Sequence, residues 1–354
     1  MTRSFARIAF AVSVAVALTG CRAEEVRQGV SVGEPVTAPS RARPELAVVR
    51  LATGNPPRRD VIVLDSSGMN KRVLATGPRF FGSRPSWSPG GARLAFARSS
   101  DSKQERSDIF VVDAVGGNAH RLTQTGRAFA PVWSPDGRTI VFAQRAPGAR
   151  YPATSSLWAM TSDGSNRRQL LEPKPGRADA PSSFSPDGHE LAVTRCESRE
   201  PDQQARVANA CAVYLLDVRT LKLRKLVERA ADAAFSPDGD QIAYVTDSDE
   251  NGDLSYGDRT SYANELYLMH VDNGDTRRLT RTHRLNERAP SWSSNGDVIA
   301  HQRGQVIGNA EGTVVVLVRA DGNCPRLTAF DRKLAVWHGS PAWRPGSAPV
   351  LTCE

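Results

Sequence analysis

Beyond its first twenty residues, this 354-residue sequence has no segment that keeps apolar side chains at a helical period, which excludes helix bundles and doubly wound α/β sheets. Aromatic residues are few, at 6%. The five cysteines include no Cys-x-x-Cys pair, and the six histidines (120, 189, 270, 283, 301 and 338) form no His-Glu-x-x-His run. The common zinc motifs are therefore absent. No glycine-rich loop joins a strand to a helix, which removes the usual phosphate cradle. The apolar run from Ile8 to Leu18 is too short to cross a bilayer as a mature helix. What the chain does have is an apolar fraction of 40%, enough for a buried core. Its formal net charge of +8 makes anionic partners worth considering.

Arg3 and Arg7 flank the start of the apolar run, which ends in Leu18-Thr19-Gly20-Cys21. A basic start, a short apolar middle and small residues at the end have the anatomy of a secretory signal. The last four residues resemble the lipobox of bacterial lipoproteins. That resemblance implies cleavage after residue 20 and a diacylglyceryl group on the Cys21 thiol. Residues 1–20 then read as a signal peptide and residues 45–354 as the folded part. Residues 21–44, with Pro, Gly, Ser and charges but no sustained period, read as a flexible tether. With Cys21 lipidated, four cysteines remain, an even number that can pair outside the cytoplasm.

The folded part repeats itself. Pro85-Ser86-Trp87-Ser88-Pro89-Gly90-Gly91 recurs as Pro131-Val132-Trp133-Ser134-Pro135-Asp136-Gly137, and again around Phe184 and Phe235. Later forms are Trp292-Ser293-Ser294-Asn295-Gly296 and Trp343-Arg344-Pro345-Gly346. The aromatic positions lie 46, 51, 51, 57 and 51 residues apart. Each unit has one grammar: a short strand ends in a Ser-Pro-Asp-Gly turn, where Pro presets φ and Gly accepts a positive φ. An apolar strand such as Thr139 to Ala143 follows, then a third such as Asp108 to Val112, then a short basic one such as Arg121-Leu122-Thr123. Short strands with turn residues at fixed offsets specify an all-β array.

Glu45 to Leu51, Val61 to Asp65 and Lys71 to Leu74 read as a blade lacking its first strand, and Pro341-Ala342-Trp343 supplies one. Joining them closes a ring with no open sheet edge, which predicts a six-bladed β-propeller. Val350 to Cys353 is then one strand too many. The Trp-Ser-Pro-Asp-Gly turns and Ile-Ala-Phe-type strands resemble the WD-like repeats of the TolB-like propellers, over residues 45–346. This likeness implies the fold without implying one function. TolB proteins carry an α/β domain ahead of the propeller, where this chain shows only the tether.

The chain is read as carrying no Gly-x-Ser-x-Gly elbow, so the hydrolase domain that follows the propeller in prolyl oligopeptidases is expected to be missing. The repeated aspartates of the Ser-Pro-Asp-Gly stretches read as turn residues. The resulting expectation is a binding module and not an enzyme. It would be an extracytoplasmic, lipid-anchored monomer that meets a protein or an anionic envelope polymer and no nucleic acid. The runner-up is a lyase- or lactonase-like propeller enzyme acting on a small or carbohydrate-like ligand, which a polar cluster in the central channel would favour. A purely structural envelope lipoprotein is a third reading.

Because strands alternate in direction, loops leaving the fourth strands and loops after the second strands share one face. That face carries Arg79, Arg84, Arg127, Lys174, Arg177, Arg281, Arg284, Arg288, Arg332 and Lys333, with Phe80, Phe81, Phe129, Phe330 and Trp337 among them. It reads as a partner face with aromatic anchors, or else as a solvated basic surface. Cys196 ends a second strand and Cys211 begins a third, so the two face each other across a hairpin as a disulfide, the alternative being two buried thiols. Cys324 and Cys353 form a weaker second pair. Asp247 to Asp258 follows an EF-hand loop at several positions, with Asp247, Asp249, Asn251, Asp253, Ser255 and Asp258 as ligands of a structural calcium ion. The bland alternative is a long acidic loop.

Overall fold

The computed structural model describes residues 44–52, 58–66, 71–77, 84–99, 106–148, 154–197, 210–248, 253–256, 259–262, 264–282, 285–307, 310–323, 325–327 and 340–351. Every regular element among them is a strand. Four antiparallel four-stranded sheets follow the expected grammar. In the repeat named after Trp87 the strands run Ser86–Trp87, Arg93–Ser99, Ser107–Asp113 and His120–Arg121. The Phe235 repeat has Ala230–Phe235, Gln241–Thr246, Glu265–His270 and Thr276–Arg278, and the Trp292 repeat has Glu287–Trp292, Val298–Ile307, Ala310–Arg319 and Arg326–Leu327. The fourth sheet is the ring closure: Ala342–Trp343 pairs with Glu45–Ala52, which continues into Arg58–Asp65 and Lys71–Gly77.

The expectation of six separate sheets needs one correction. The Trp133 repeat (Ala128–Trp133, Thr139–Arg145, Ser155–Thr161, Arg168–Gln169) and the Phe184 repeat (Arg177–Phe184, Glu190–Glu197, Ala210–Asp217, Leu223–Glu228) belong to one eight-stranded sheet. A single parallel pair, Ser155↔Ala178, fuses them, and the Ser155 hydroxyl reinforces it by donating to the Asp179 carbonyl at 2.9 Å. A second correction concerns Val350 to Cys353. Val350 and Leu351 lie in no strand; Leu351 is instead buried beside Leu46 and Trp343, where it seals the closure.

Neighbouring innermost strands touch in the order Trp343, Trp87, Trp133, Phe184, Phe235, Trp292 and back to Trp343. This cyclic order makes the fold an all-β propeller. The core lies between successive repeats, not inside one. Ala95 and Ile109 of the Trp87 repeat, for example, meet Trp133, Ile140 and Phe142 of the next. Second strands are therefore buried on both faces, which is why Leu94 to Ala97 and Ile140 to Ala143 are continuous apolar runs without alternation. A fully buried Phe such as Phe142 contributes roughly 2–3 kcal/mol from area alone. Polar pegs link the inner strands as well: Ser86, Ser183 and Ser291 hydroxyls accept from the amides of Trp133, Phe235 and Trp343 in the following repeats.

Candidate functional site

The turn aspartates are occupied by their own turns. In Asp136, Asp187 and Asp238 one carboxylate oxygen accepts from the serine hydroxyl two residues earlier at 2.5 Å and from the amide two residues later. These bonds hold all three carboxyls below the usual range. In the next residue along, Gly188 and Gly239 take φ of 76° and 88°, which an L side chain rarely adopts. These turns lie at the ends of the inner strands, away from the loops that lead into them.

At the opposite ends stand buried carboxylates. Asp108 opens a third strand and accepts from the Thr123 hydroxyl at 2.8 Å and the Gly126 amide at 3.1 Å, while Arg121 pairs with its other oxygen at 2.6 Å. Glu265 repeats the device with Thr280, Thr282 and Arg278. Asp179 and Glu287 sit five residues before their aromatics, paired across the hairpin with Arg195 and Arg303. Glu287 also meets His301, whose Nδ1 lies 2.7 Å from Oε2 in a fully buried pair. These networks tie the start of one repeat to the end of the last. Their signal was legible in retrospect in two repeats: Asp108 and Glu265 each lie two residues before the third-strand residue that pairs with the Arg of Arg121-Leu122-Thr123 or Arg278-Leu279-Thr280.

The centre of the ring is built by the residues three places before each aromatic. Four inner strands bulge there, and Ala130, Asp232 and Ala289 take the left-handed conformation with φ of 50°, 57° and 53°. Arg84, three before Trp87, crosses the ring. Its guanidinium donates to the Ser182 carbonyl at 3.5 Å and to the Asp232 carbonyl at 3.4 Å, in repeats far from its own. Arg84 is half-buried among the inner strands that it bridges. Burial pulls its pKa down, and the Asp232 carboxylate pulls it partly back. Asp232 is itself fixed: its carboxylate accepts from the Ala289 amide at 3.1 Å and its amide donates to Thr194 Oγ1 at 3.0 Å. Ser182 Oγ lies 3.2 Å from the same Thr194 oxygen. Arg84, Ser182, Thr194 and Asp232 thus form a polar cluster in the channel, drawn from three repeats.

The other residues expected to form the partner face fare differently. Arg288 and Arg281 are exposed and Arg127 is half-buried. Arg177 turns inward, pairing with Asp179 at 3.2 Å and donating to the Glu172 carbonyl at 2.6 Å, because Asp179 is fully buried and needs cations. Arg79, Arg284, Arg332 and Lys333 lie outside the described residues, as do Cys21, Cys324 and Cys353. Cys196 and Cys211 stand in register and are joined as a disulfide. In the proposed calcium loop, Asp249, Asn251 and Asp258 lie outside the described residues. Asp253–Tyr256 pairs with Arg259–Tyr262 as a hairpin, and Asp247 is bound by Arg229 at 3.0 Å. Among the described residues no three His, Cys, Asp or Glu side chains gather closely enough to hold a metal ion.

No protein-family profile matches the chain. Among solved structures it resembles TolB from Acinetobacter baumannii, with a TM-score of 0.62 and 19% identity over 87% of this chain and 68% of that one. It also resembles a TolB candidate from Agrobacterium tumefaciens, with a TM-score of 0.57 and 16% identity over 87% of this chain and 100% of that one. Its structural neighbours are thus TolB-like β-propellers. In sequence it is 26% identical over 218 residues to the uncharacterized peptidase YuxL of Bacillus subtilis, a match covering 52% of this chain and 31% of YuxL. The chain therefore spans less than a third of that relative. A peptidase among its relatives overturns the expectation that the chain is no enzyme. That expectation rested on reading no Gly-x-Ser-x-Gly elbow in the chain, and a propeller sequence carries no record of the chemistry of domains it is joined to elsewhere. One Gly-x-Ser-x-Gly run does occur, Gly29 to Gly33, ahead of the repeats and outside the described residues.

Proposed function

We propose that this chain is an extracytoplasmic propeller of six blades, held at a membrane by lipidated Cys21, which recognises a protein or an anionic envelope polymer at its loop face and channel mouth. The six blades are the four separate sheets and the two halves of the eight-stranded one. Residues 1–20 serve as the signal and residues 21–44 as the tether. The Cys196–Cys211 disulfide suits an oxidising compartment. The observation that carries the recognition role is Arg84, a cation held in the channel at the same end as exposed Arg281 and Arg288. A calcium ion on the 247–258 loop belongs to the same proposal as a structural aid, with Arg229 its competitor for Asp247. Calorimetric titration of calcium into metal-free protein tests that part, and absent heat of binding rejects it.

A second reading, recognition in the service of catalysis, is favoured by the polar channel cluster and by the peptidase relative. The propeller would then select the polypeptide or small ligand that reaches a reactive centre.

Site-specific photo-crosslinking in membrane vesicles tests the recognition role. A photoreactive residue in place of Arg288 should capture a partner. One in place of Asp187, at the other face, should not. Capture from neither position, or equally from both, would reject a recognition face.

A further inference from the structure

We infer that Arg84 is the receptor for a single carboxylate group of a ligand that enters the channel from the loop face. The inference rests on the recognition role proposed above and specifies its chemistry. A guanidinium offers five donors in a planar fork that matches a carboxylate. Here the fork spends itself on two long bonds to neutral carbonyls, at 3.5 and 3.4 Å. Among the described residues no carboxylate lies within ion-pair distance of Arg84, whereas Arg121, Arg195 and Arg303 each hold one. A cation taken out of water without a direct ion-pair partner is costly, and an incoming carboxylate relieves that cost with shorter, charge-assisted bonds.

The surroundings carry smaller side chains and set the charge. Positions equivalent to Arg84 in other repeats are Ala130, Pro181, Asp232, Ala289 and Ser340, all smaller side chains. Asp232 is the one anion among them, and its field already acts on Arg84. Asp232 offsets part of the Arg84 charge without pairing with it, so one added negative charge is favoured over two. That selects a carboxylate over a phosphate dianion. The Ser182 and Thr194 hydroxyls, sharing one hydrogen bond, supply further polar contacts.

Ligand-observed NMR and calorimetry on the full chain in detergent test this. The probes are N-acetyl-trialanine with a free carboxylate, the same peptide as its amide, galacturonate and inorganic phosphate. Binding of the free-acid peptide or of galacturonate, with neither amide nor phosphate binding, is expected; the tighter of the two names the ligand source. Arg84→Gln should weaken that binding about thirtyfold or more. If Arg84→Gln fails to fold, Asp232→Asn gives the second reading: it should admit phosphate. Amide binding as tight as acid binding, indifference to Arg84→Gln, no gain of phosphate binding in Asp232→Asn, or no binding of either carboxylate would overturn the inference. A protein that ignores both carboxylates yet still crosslinks through position 288 rejects this inference alone and leaves the recognition face standing.

Discussion

Arg344 and Glu45, 299 residues apart in the chain, meet at the ring closure with Nη1 2.5 Å from Oε2. The same guanidinium donates to the Gly91 carbonyl at 2.8 Å and lies over the Trp87 ring at 5.5 Å, so one side chain joins Glu45–Ala52, the Trp343 repeat and the Trp87 repeat. Arg344→Ala should therefore loosen the closure. The pair is partly exposed, so the loss should be about 1–2 kcal/mol, read as a lower urea midpoint. Hydrogen exchange should rise first in Glu45–Ala52; an unchanged midpoint would show that strand pairing alone closes the ring.

His301 occupies the place held by Phe96, Phe142, Val193 and Tyr244 in other repeats, and Glu287 the place of Ala128 and Ala230. His301→Phe leaves the buried Glu287 Oε2 without its imidazole neighbour and should cost about 2–4 kcal/mol. Adding Glu287→Ala recreates the apolar pairing of Phe142 with Ala128 and should recover most of that loss. Arg303, 15% exposed, keeps an edge open to water once its partner is gone. A double variant no more stable than the single one would refute the equivalence.

Acid should weaken the fold through carboxylates whose folded pKa is depressed. Burial alone would raise that of Glu287, but His301 and Arg303 more than offset it. Bonds from Thr161 and Ser165 bring exposed Asp163 down to about 2. A depressed folded pKa means that the contribution is complete above the unfolded value and fades as pH falls through the folded one. Melting temperature should therefore hold at neutral pH and fall below the usual carboxylate range. Asp163 should titrate with a midpoint of about 2 by NMR, and an ordinary midpoint would contradict the turn geometry.

Replacing Cys196 and Cys211 with serine opens a hairpin whose ends are 15 residues apart. The loss should be about 3 kcal/mol on the chain-entropy account. Thiol labelling of the wild type under denaturing, non-reducing conditions should leave both cysteines unlabelled.

Cys21→Ser should move the protein from the membrane to the soluble fraction, since two or more acyl chains on one residue hold a protein where a single chain does not. Unchanged membrane association would remove the lipid anchor from the proposal.

Much of this architecture is local and was open to reading from the chain alone. Pro and Gly at fixed offsets set the turns, apolar runs between them set the strands, and an unpartnered strand at each end required Ala342–Trp343 to meet Glu45–Ala52. The Cys196–Cys211 pairing was legible for the same reason, because a hairpin register is a local property. What the tertiary structure alone decided are contacts across the ring or between repeats. Arg84 looked like one basic loop residue among many, and only the closed ring brings it to Ser182 and Asp232. Arg177 looked equally exposed, until burial of Asp179 drew it inward. The fusion of two repeats through Ser155 and Ala178 likewise depends on how closely neighbouring blades approach. Periodicity describes a side chain's own strand, whereas a channel is made by six strands at once, so its chemistry emerges only when the ring is closed.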